Sequence, residues 1–375
     1  MGLLSKKPTT IITDTAAWPG ADNTRMQAEG MCVAEKVCDC MPAEWYPQRA
    51  VQLTWPHADT DWKPYLQEVT ACYLRMAYEI SLTEQVIIVC QNKDEVEALL
   101  HEKLPQKSLK NITFVYCPTN DTWARDHGFI TVMENGRYQL LDFKFNGWGG
   151  KFEAAKDNAI NKRLFDTGLL RGEYRDEQGF VFEGGSIESD GQGTLLTTSE
   201  CLLNPNRNPQ MDKAAIEHLL LDKLNAKRLL WLDHGYLAGD DTDSHIDTLA
   251  RLCPQDTIVY VKCDDPADEH YEQLKLMEEQ LETFETIQGK PYRLLALPMA
   301  PLMFDEDGMR LPSTYANYLV INNRVLMPTY GDAELDAKAA RVLEEAFAGY
   351  SVTGIDCRVL VEQHGSLHCS TMQYY

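Results

Sequence analysis

The sequence predicts an α/β fold in which a hairpin, a helix and a further strand recur four or five times within one closed domain. Three observations carry this expectation. Short apolar strands flank turn-forming residues at three well-separated places. Stretches with helical apolar spacing intervene before further isolated strands. No Pro/Ser-rich linker or low-complexity stretch divides the 375 residues, so the recurring units belong to one body.

Residues 1–40 are polar and without period, and are expected to be a poorly ordered N-terminal extension. The catalytic domain is placed at residues 41–375, opening near Met41-Pro42-Ala43-Glu44-Trp45. Gln52 to Trp55 reads as a strand and Pro56 to Asp59 as its turn. Trp62 to Glu84 has helical spacing through Leu66, Val69, Tyr73, Met76 and Ile80. Val86 to Cys90 is a buried strand, Asp94 to Lys103 a short helix, and Ile112 to Tyr116 a strand. Phe129–Met133 and Tyr138–Phe143 flank Asn135-Gly136, a hairpin signal. Ser186–Glu188 and Thr194–Thr198 flank Asp190 to Gly193, and Tyr318–Ile321 and Val325–Pro328 flank Asn322 to Arg324. Helices are expected at Met211–Asn225, Pro266–Thr286 and Ala333–Ala348. Isolated strands are expected at Arg228–Leu232, Thr257–Val261, Arg293–Leu297 and Arg358–Val361.

Composition narrows the function. A formal net charge of −22 disfavours nucleic acid and anionic membranes as partners, and suits a small cation. No apolar run reaches the roughly 20 residues of a membrane span. The first residues lack the apolar core of a secretory signal. The eleven cysteines are scattered, several inside apolar runs such as Val86–Cys90, as in a reduced cytoplasmic protein. Cys32, Cys38 and Cys40 lack a second paired set, so no metal is expected there.

Four constellations stand out. Asn120 to Gly128 crowds acidic, aromatic and basic residues into one loop, which reads as a site or as a turn with capping aspartates. Glu183-Gly184-Gly185-Ser186 lets backbone approach closely, or is a plain bulge. Gly239 to Asp247 sets carboxylates before His245-Ile246-Asp247. If this stretch is extended, His245 and Asp247 share a face. A metal reading competes there, as does a solvated acidic turn, but no second histidine has ligand spacing to His245. Last is Cys369. His368 beside it would point to the opposite face of a strand, so the better base is His245.

Together these supply a nucleophile Cys369, a base His245, a glutamate to orient it, and the carboxylates Asp126 and Asp247. Carboxylates beside a thiol raise its pKa, which suits a protease poorly. They suit a planar cation. A guanidinium has five donors in a fixed fork, is gripped by paired carboxylates, and helps the thiolate form.

The motifs Asp121-Thr122-Trp123-Ala124-Arg125-Asp126, Glu183-Gly184-Gly185-Ser186, Asp241 to Asp247 and Leu367-His368-Cys369 resemble the agmatine deiminases in sequence and order. These are relatives of bacterial peptidylarginine deiminase within the guanidine-modifying superfamily. Met41 to Trp45 and Trp55-Pro56-His57 also resemble that family's opening. The resemblance implies a five-module pseudo-symmetric α/β propeller (pentein). It implies Cys369 as nucleophile, His245 as general acid/base paired with Glu183, and Asp126 and Asp247 on the guanidinium, with Asp241 close by. The chain departs from the family pattern at His364-Gly365-Ser366-Leu367, where more glycine is common, and at Glu188, where a histidine often stands.

The implied activity is hydrolysis of a carbon–nitrogen bond of a linear amidine: agmatine to N-carbamoylputrescine and ammonia, in the cytoplasm, without cofactor. Trp55, Asp59, Asp61 and Trp123 are candidates for the amine end. Deimination of arginine or peptidylarginine, amidino transfer, and a catalytically silent polyamine-binding propeller are the rivals. A homodimer is left open.

Overall fold

The computed structural model describes residues 39–375. Sixteen strands form five small sheets. In chain order they are β1 (Ala50–Thr54), β2 (Gln85–Cys90), β3 (Ile112–Tyr116), β4 (Ile130–Glu134), β5 (Arg137–Lys144), β6 (Glu173–Val181), β7 (Ile187–Ser189) and β8 (Thr194–Thr198). Then come β9 (Arg228–Leu232), β10 (Ala250–Cys253), β11 (Thr257–Lys262), β12 (Arg293–Pro298), β13 (Leu319–Ile321), β14 (Arg324–Thr329), β15 (Ser351–Asp356) and β16 (Thr371–Tyr374). Four sheets repeat one plan: an antiparallel hairpin, then a helical crossover to a parallel third strand. They are β4-β5-β6, β7-β8-β9, β10-β11-β12 and β13-β14-β15. In the remaining sheet, β16-β1-β2-β3, the antiparallel pair is β16 with β1, from opposite ends of the described chain. This is the five-module pentein architecture that the motifs imply.

The crossovers are α1 (Leu66–Ser81), α3 (Ile160–Asp166), α4 (Lys213–Lys223), α5 (Tyr271–Leu281) and α6 (Ala333–Ala346). A further helix, α2 (Lys93–Lys103), joins β2 to β3. α1 buries Val69, Tyr73, Met76 and Ile80 at i, i+4, i+7 and i+11. Each such side chain contributes about 1.5–3 kcal/mol when withdrawn from water. Crossover helices cover the strands, so β2 reads from Val86 to Cys90 as an unbroken apolar run, and β1 is buried at every position, Gln52 and Thr54 included. The Asn135-Gly136 turn has the two positive φ angles, 50° and 73°, that a two-residue hairpin requires.

Several expectations need correction. Arg358–Val361 is a short helical turn, and the strand of that unit is β15. The Val-Leu-Val run resembles a strand, whereas β15 contains Gly354 and is only partly buried. β6 is polar and half exposed along most of its length, so it carries no apolar signal. The β10–β11 hairpin turns through Gln255 and Asp256 at φ 58° and 53° without a glycine to announce it. The stretch after His245 is a 3₁₀ turn, Ile246–Thr248, not extended chain. Cys369 lies in a turn before β16.

Cys40 is buried and its carbonyl accepts the Met133 N–H at 2.9 Å, so this residue, expected in the extension, packs with the domain. Residues 1–38 of the expected extension, with Cys32 and Cys38, lie outside the described residues. Among the described residues no helix is long and apolar enough to cross a membrane.

Candidate active site

Gly185 marks the centre. A Cβ built on it would lie 2.6 Å from His245 Nδ1, 2.9 Å from Asp126 Oδ1 and 3.1 Å from Asp247 Oδ2. Three predicted residues from two segments, Asp126 before β4 and His245 with Asp247 before β10, therefore converge on one glycine, and any side chain there would fill the space between them. The fourth, Cys369, has its Sγ 3.9 Å from Asp247 Oδ2. The fifth, Glu183, lies 3.4 Å from His245 Nε2 through Oε2. All five are buried.

Each side chain is held from behind. Asp126 Oδ1 accepts the Gly185 N–H at 3.0 Å, and Oδ2 accepts the Trp148 Nε1–H at 2.9 Å. Asp247 Oδ2 is 2.7 Å from His368 Nδ1. Glu183 accepts Arg207 Nε–H at 2.8 Å and 3.1 Å on its two oxygens. Arg207 also donates to Asp243 at 2.6 Å and to the Thr242 carbonyl at 2.8 Å. The Cys369 N–H donates to Asn317 Oδ1 at 3.2 Å.

The loop that presents His245 is strained. Asp243 and Ser244 both adopt left-handed φ, 64° and 63°. Asp240 stabilises that turn by accepting the Thr242 N–H at 3.1 Å and the Ser244 N–H at 2.7 Å. Asp157, buried and pushed up to about 8, accepts the N–H groups of Asn120 and Asp121 at 2.7 and 3.0 Å and so anchors the loop that leads to Asp126.

Electrostatics follow from burial and neighbours. Burial pushes Asp126 up to about 6, against the lowering effect of His245, while Asp247 and Glu183 add to the rise. Burial opposes the imidazolium of His245, but Asp126, Cys201 and Glu183 hold its pKa well above the usual histidine value. Burial also works against the Asp247 carboxylate, and His368, His245 and Arg251 together offset it, keeping the pKa low. The Cys369 thiol is pushed well above its ordinary value by burial, then by Asp247 and Asp126. Two buried polar atoms in this centre lack a hydrogen-bond partner: His245 Nδ1 and Asp247 Oδ1. Buried polar atoms are almost always paired, so the pair of orphans marks a place for a polar ligand.

The remaining candidates lie further out. The Trp123 indole packs against Gly365, where a Cβ would meet the ring at 2.3 Å, and against Trp62 at 5.7 Å. Trp55 is buried edge-on to Tyr73. Asp241 is half exposed and 3.9 Å from His364 Nδ1. Asp59 is exposed and accepts from Gln91 at 2.9 Å, and Asp61 is exposed. No hydrogen bond or ion pair among the described residues joins Trp55, Asp59 or Asp61 to the five central side chains.

Sequence reasoning missed Trp148, Arg207, Asn317 and Cys201. Signals did exist for two of them. Trp148 stands in Asn146-Gly147-Trp148-Gly149-Gly150, and Arg207 in Pro205-Asn206-Arg207-Asn208-Pro209. Glu183, Cys201 and His245 offer three ligand atoms within 4.8 Å of one another. Arg207, 2.8 Å from Glu183, already supplies a cation there, so a metal ion fits poorly.

Comparison with known proteins identifies the family. Residues 40–374 match the family described as Porphyromonas-type peptidyl-arginine deiminase. A Legionella pneumophila protein provisionally named an agmatine deiminase is 34% identical over 340 residues, covering 89% of this chain and 94% of its own. A Porphyromonas gingivalis crystal structure provisionally named an arginine deiminase superposes with a TM-score of 0.84 at 50% identity, covering 89% of this chain and 98% of its own. The substrate-bound agmatine deiminase of C. jejuni superposes with a TM-score of 0.82 at 39% identity, covering 90% and 96%.

Proposed function

Because the chain belongs to the Porphyromonas-type peptidyl-arginine deiminase family, we propose that it hydrolyses agmatine to N-carbamoylputrescine and ammonia through a covalent Cys369 intermediate. One observation carries the reading: two buried carboxylates, Asp126 and Asp247, face His245 across Gly185, with Asp247 Oδ1 and His245 Nδ1 unpaired, beside a cysteine. A guanidinium offers planar N–H donors to both aspartates and presents its carbon to Cys369.

The free site holds Cys369 as a thiol, because burial disfavours the thiolate and Asp247 and Asp126 then repel it. A bound guanidinium neutralises that field, and the thiol proton is released as the cation enters. The thiolate attacks the central carbon and a C–S bond forms. His245, protonated, gives its proton to the departing nitrogen, the C–N bond breaks, and ammonia leaves. The S-alkylthiouronium remains. Neutral His245 then takes a proton from water, hydroxide adds to the carbon, the C–S bond breaks, the proton of the added hydroxyl passes to the departing thiolate, and the ureido product leaves with the thiol restored. Glu183, held by Arg207, orients and charges His245 throughout.

Agmatine is favoured over arginine because the guanidinium groups in this network are committed. Arg207 binds Glu183 and Asp243, Arg125 binds Gln373, and Arg251 binds Glu188 and Glu44. Each of these guanidinium groups already has a protein partner, which favours a substrate without a carboxylate. The names of the relatives from L. pneumophila and C. jejuni support the same choice. The test is incubation with agmatine, arginine and a blocked arginine peptide, measuring ammonia and ureido product with and without chelator. Turnover of agmatine that chelator leaves unchanged is expected. No turnover of any of the three would sink the deiminase reading, and preferred turnover of arginine would replace the substrate.

A further inference from the structure

Trp148 sits in a conformation that bulky residues avoid. Its φ and ψ are 55° and 50°, within Asn146-Gly147-Trp148-Gly149-Gly150, where three glycines also have positive φ. Such a conformation persists only where the surroundings over-determine it, and it clusters at functional sites. The surroundings here are explicit. Asn146 Oδ1 accepts the Gly149 N–H at 2.9 Å. Gly147 is pressed so closely on the Phe152 carbonyl that a Cβ would lie 2.2 Å from it. The indole is held edge-on between Phe145 and Phe152, with ring centroids 5.0 and 5.6 Å away. From that cradle its one polar atom, Nε1, points at Asp126 Oδ2 at 2.9 Å.

The same loop is tied to the segment carrying His245. Lys151 donates to the Asp241 carbonyl at 2.6 Å and to Asp243 at 2.8 Å, and Asn146 donates to the Asn206 carbonyl at 3.1 Å. The strap thus spans the unit that supplies Asp126 and the loop that supplies the general acid/base.

We propose that Trp148 is a positioning residue for the guanidinium, its indole N–H fixing Asp126 Oδ2 so that Oδ1 is turned to Gly185 and His245. This rests on the reading of Asp126 as a guanidinium ligand. A carboxylate with both oxygens oriented costs no reorganisation when the cation arrives. The cation is present in both ground and transition states, so losing this grip weakens binding more than chemistry. The N–H also opposes protonation of Asp126, so its loss moves the carboxyl further up.

The test compares wild type, Trp148→Phe, Trp148→His and Gly147→Ala by steady-state kinetics on agmatine across pH, with thermal unfolding alongside. Agmatine binding is measured by calorimetry in the Cys369→Ala background with and without Trp148→Phe. Trp148→Phe is expected to raise KM tenfold or more with a smaller change in kcat, and to move the acid limb of kcat/KM to higher pH. Trp148→His, which restores an N–H, is expected to recover part of that shift. An unmoved acid limb and KM in Trp148→Phe, or losses that only track melting temperature as in Gly147→Ala, would overturn the proposal. Agmatine binding without turnover would remove the deiminase reading while leaving the Trp148 arm decisive. A protein that neither turns over nor binds agmatine overturns both.

Discussion

His368 Nδ1 lies 2.7 Å from Asp247 Oδ2, so the histidine next to Cys369 serves a carboxylate and not the thiol. Its other nitrogen is 3.0 Å from Glu44 and 3.1 Å from Arg251, which also pairs with Glu188. Glu188, where the family often has histidine, is thus spent on this buried network. Replacing His368 with Ala leaves the Asp247 carboxylate without its hydrogen-bond partner, an effect of about 1.5–3 kcal/mol. The expected outcome is a roughly tenfold to hundredfold loss in kcat/KM, by the relation of 1.4 kcal/mol to a decade. Initial-rate kinetics check it.

Cys369→Ala should abolish turnover and keep agmatine binding, because Asp126 and Asp247 remain in place. Acid-quenched wild type should carry an added amidine mass on the peptide containing Cys369. Full activity in Cys369→Ser, or an adduct on another cysteine, would refute the assignment.

Activity should fall on acidification through pH about 6. Asp126 is pushed up to about 6 by burial, so it carries its charge above that pH and loses it below. The protonated carboxyl no longer attracts a cation. His245 is held well above the ordinary histidine pKa, so the loss of its proton, and of kcat, falls on the alkaline side. A bell-shaped kcat/KM profile is expected, and an acid limb lying below pH 5 would contradict it.

Arg207→Met removes a guanidinium from a fully buried pair with Glu183. A buried charge left unpaired costs about 3–5 kcal/mol. Denaturant unfolding should show that loss, and adding Glu183→Gln should restore a good part of the stability without restoring activity.

Gly185→Ala should fold and be inactive. The new methyl would stand 2.6 Å from His245 Nδ1, in the space proposed for the guanidinium. Near-wild-type kcat/KM in a folded Gly185→Ala protein would show that the pocket lies elsewhere.

What was legible in the sequence follows a physical divide. Hairpins closed by Asn135-Gly136 or by Asp190 to Gly193 were visible because positive φ demands particular residues. The β10–β11 turn achieved the same φ with Gln255 and Asp256 and escaped notice. β6 was hidden because its residues are polar. The residues that face the pocket were visible because their motifs combine unusual chemistry with glycine. Trp148, Arg207 and Asn317 act from behind, in segments whose chemistry is ordinary until folding brings them to Asp126, Glu183 and Cys369. Strand alternation does not bear on His368, which lies in a turn with its Nδ1 on the Asp247 carboxylate.

The pairing of β16 with β1 has a kinetic consequence. Tyr374 and Gln52, joined side chain to side chain at 2.6 Å, are 322 residues apart. Contacts of that separation carry a large loop-closure entropy and form late. Cys369 lies just ahead of β16, so the thiol takes its place beside Asp247 only when the ring shuts. During refolding, a thiol-modifying reagent added at intervals should label Cys369 until the last phase, and catalytic activity should appear in step with its protection. The chemistry is thereby withheld from every incompletely assembled form of the chain.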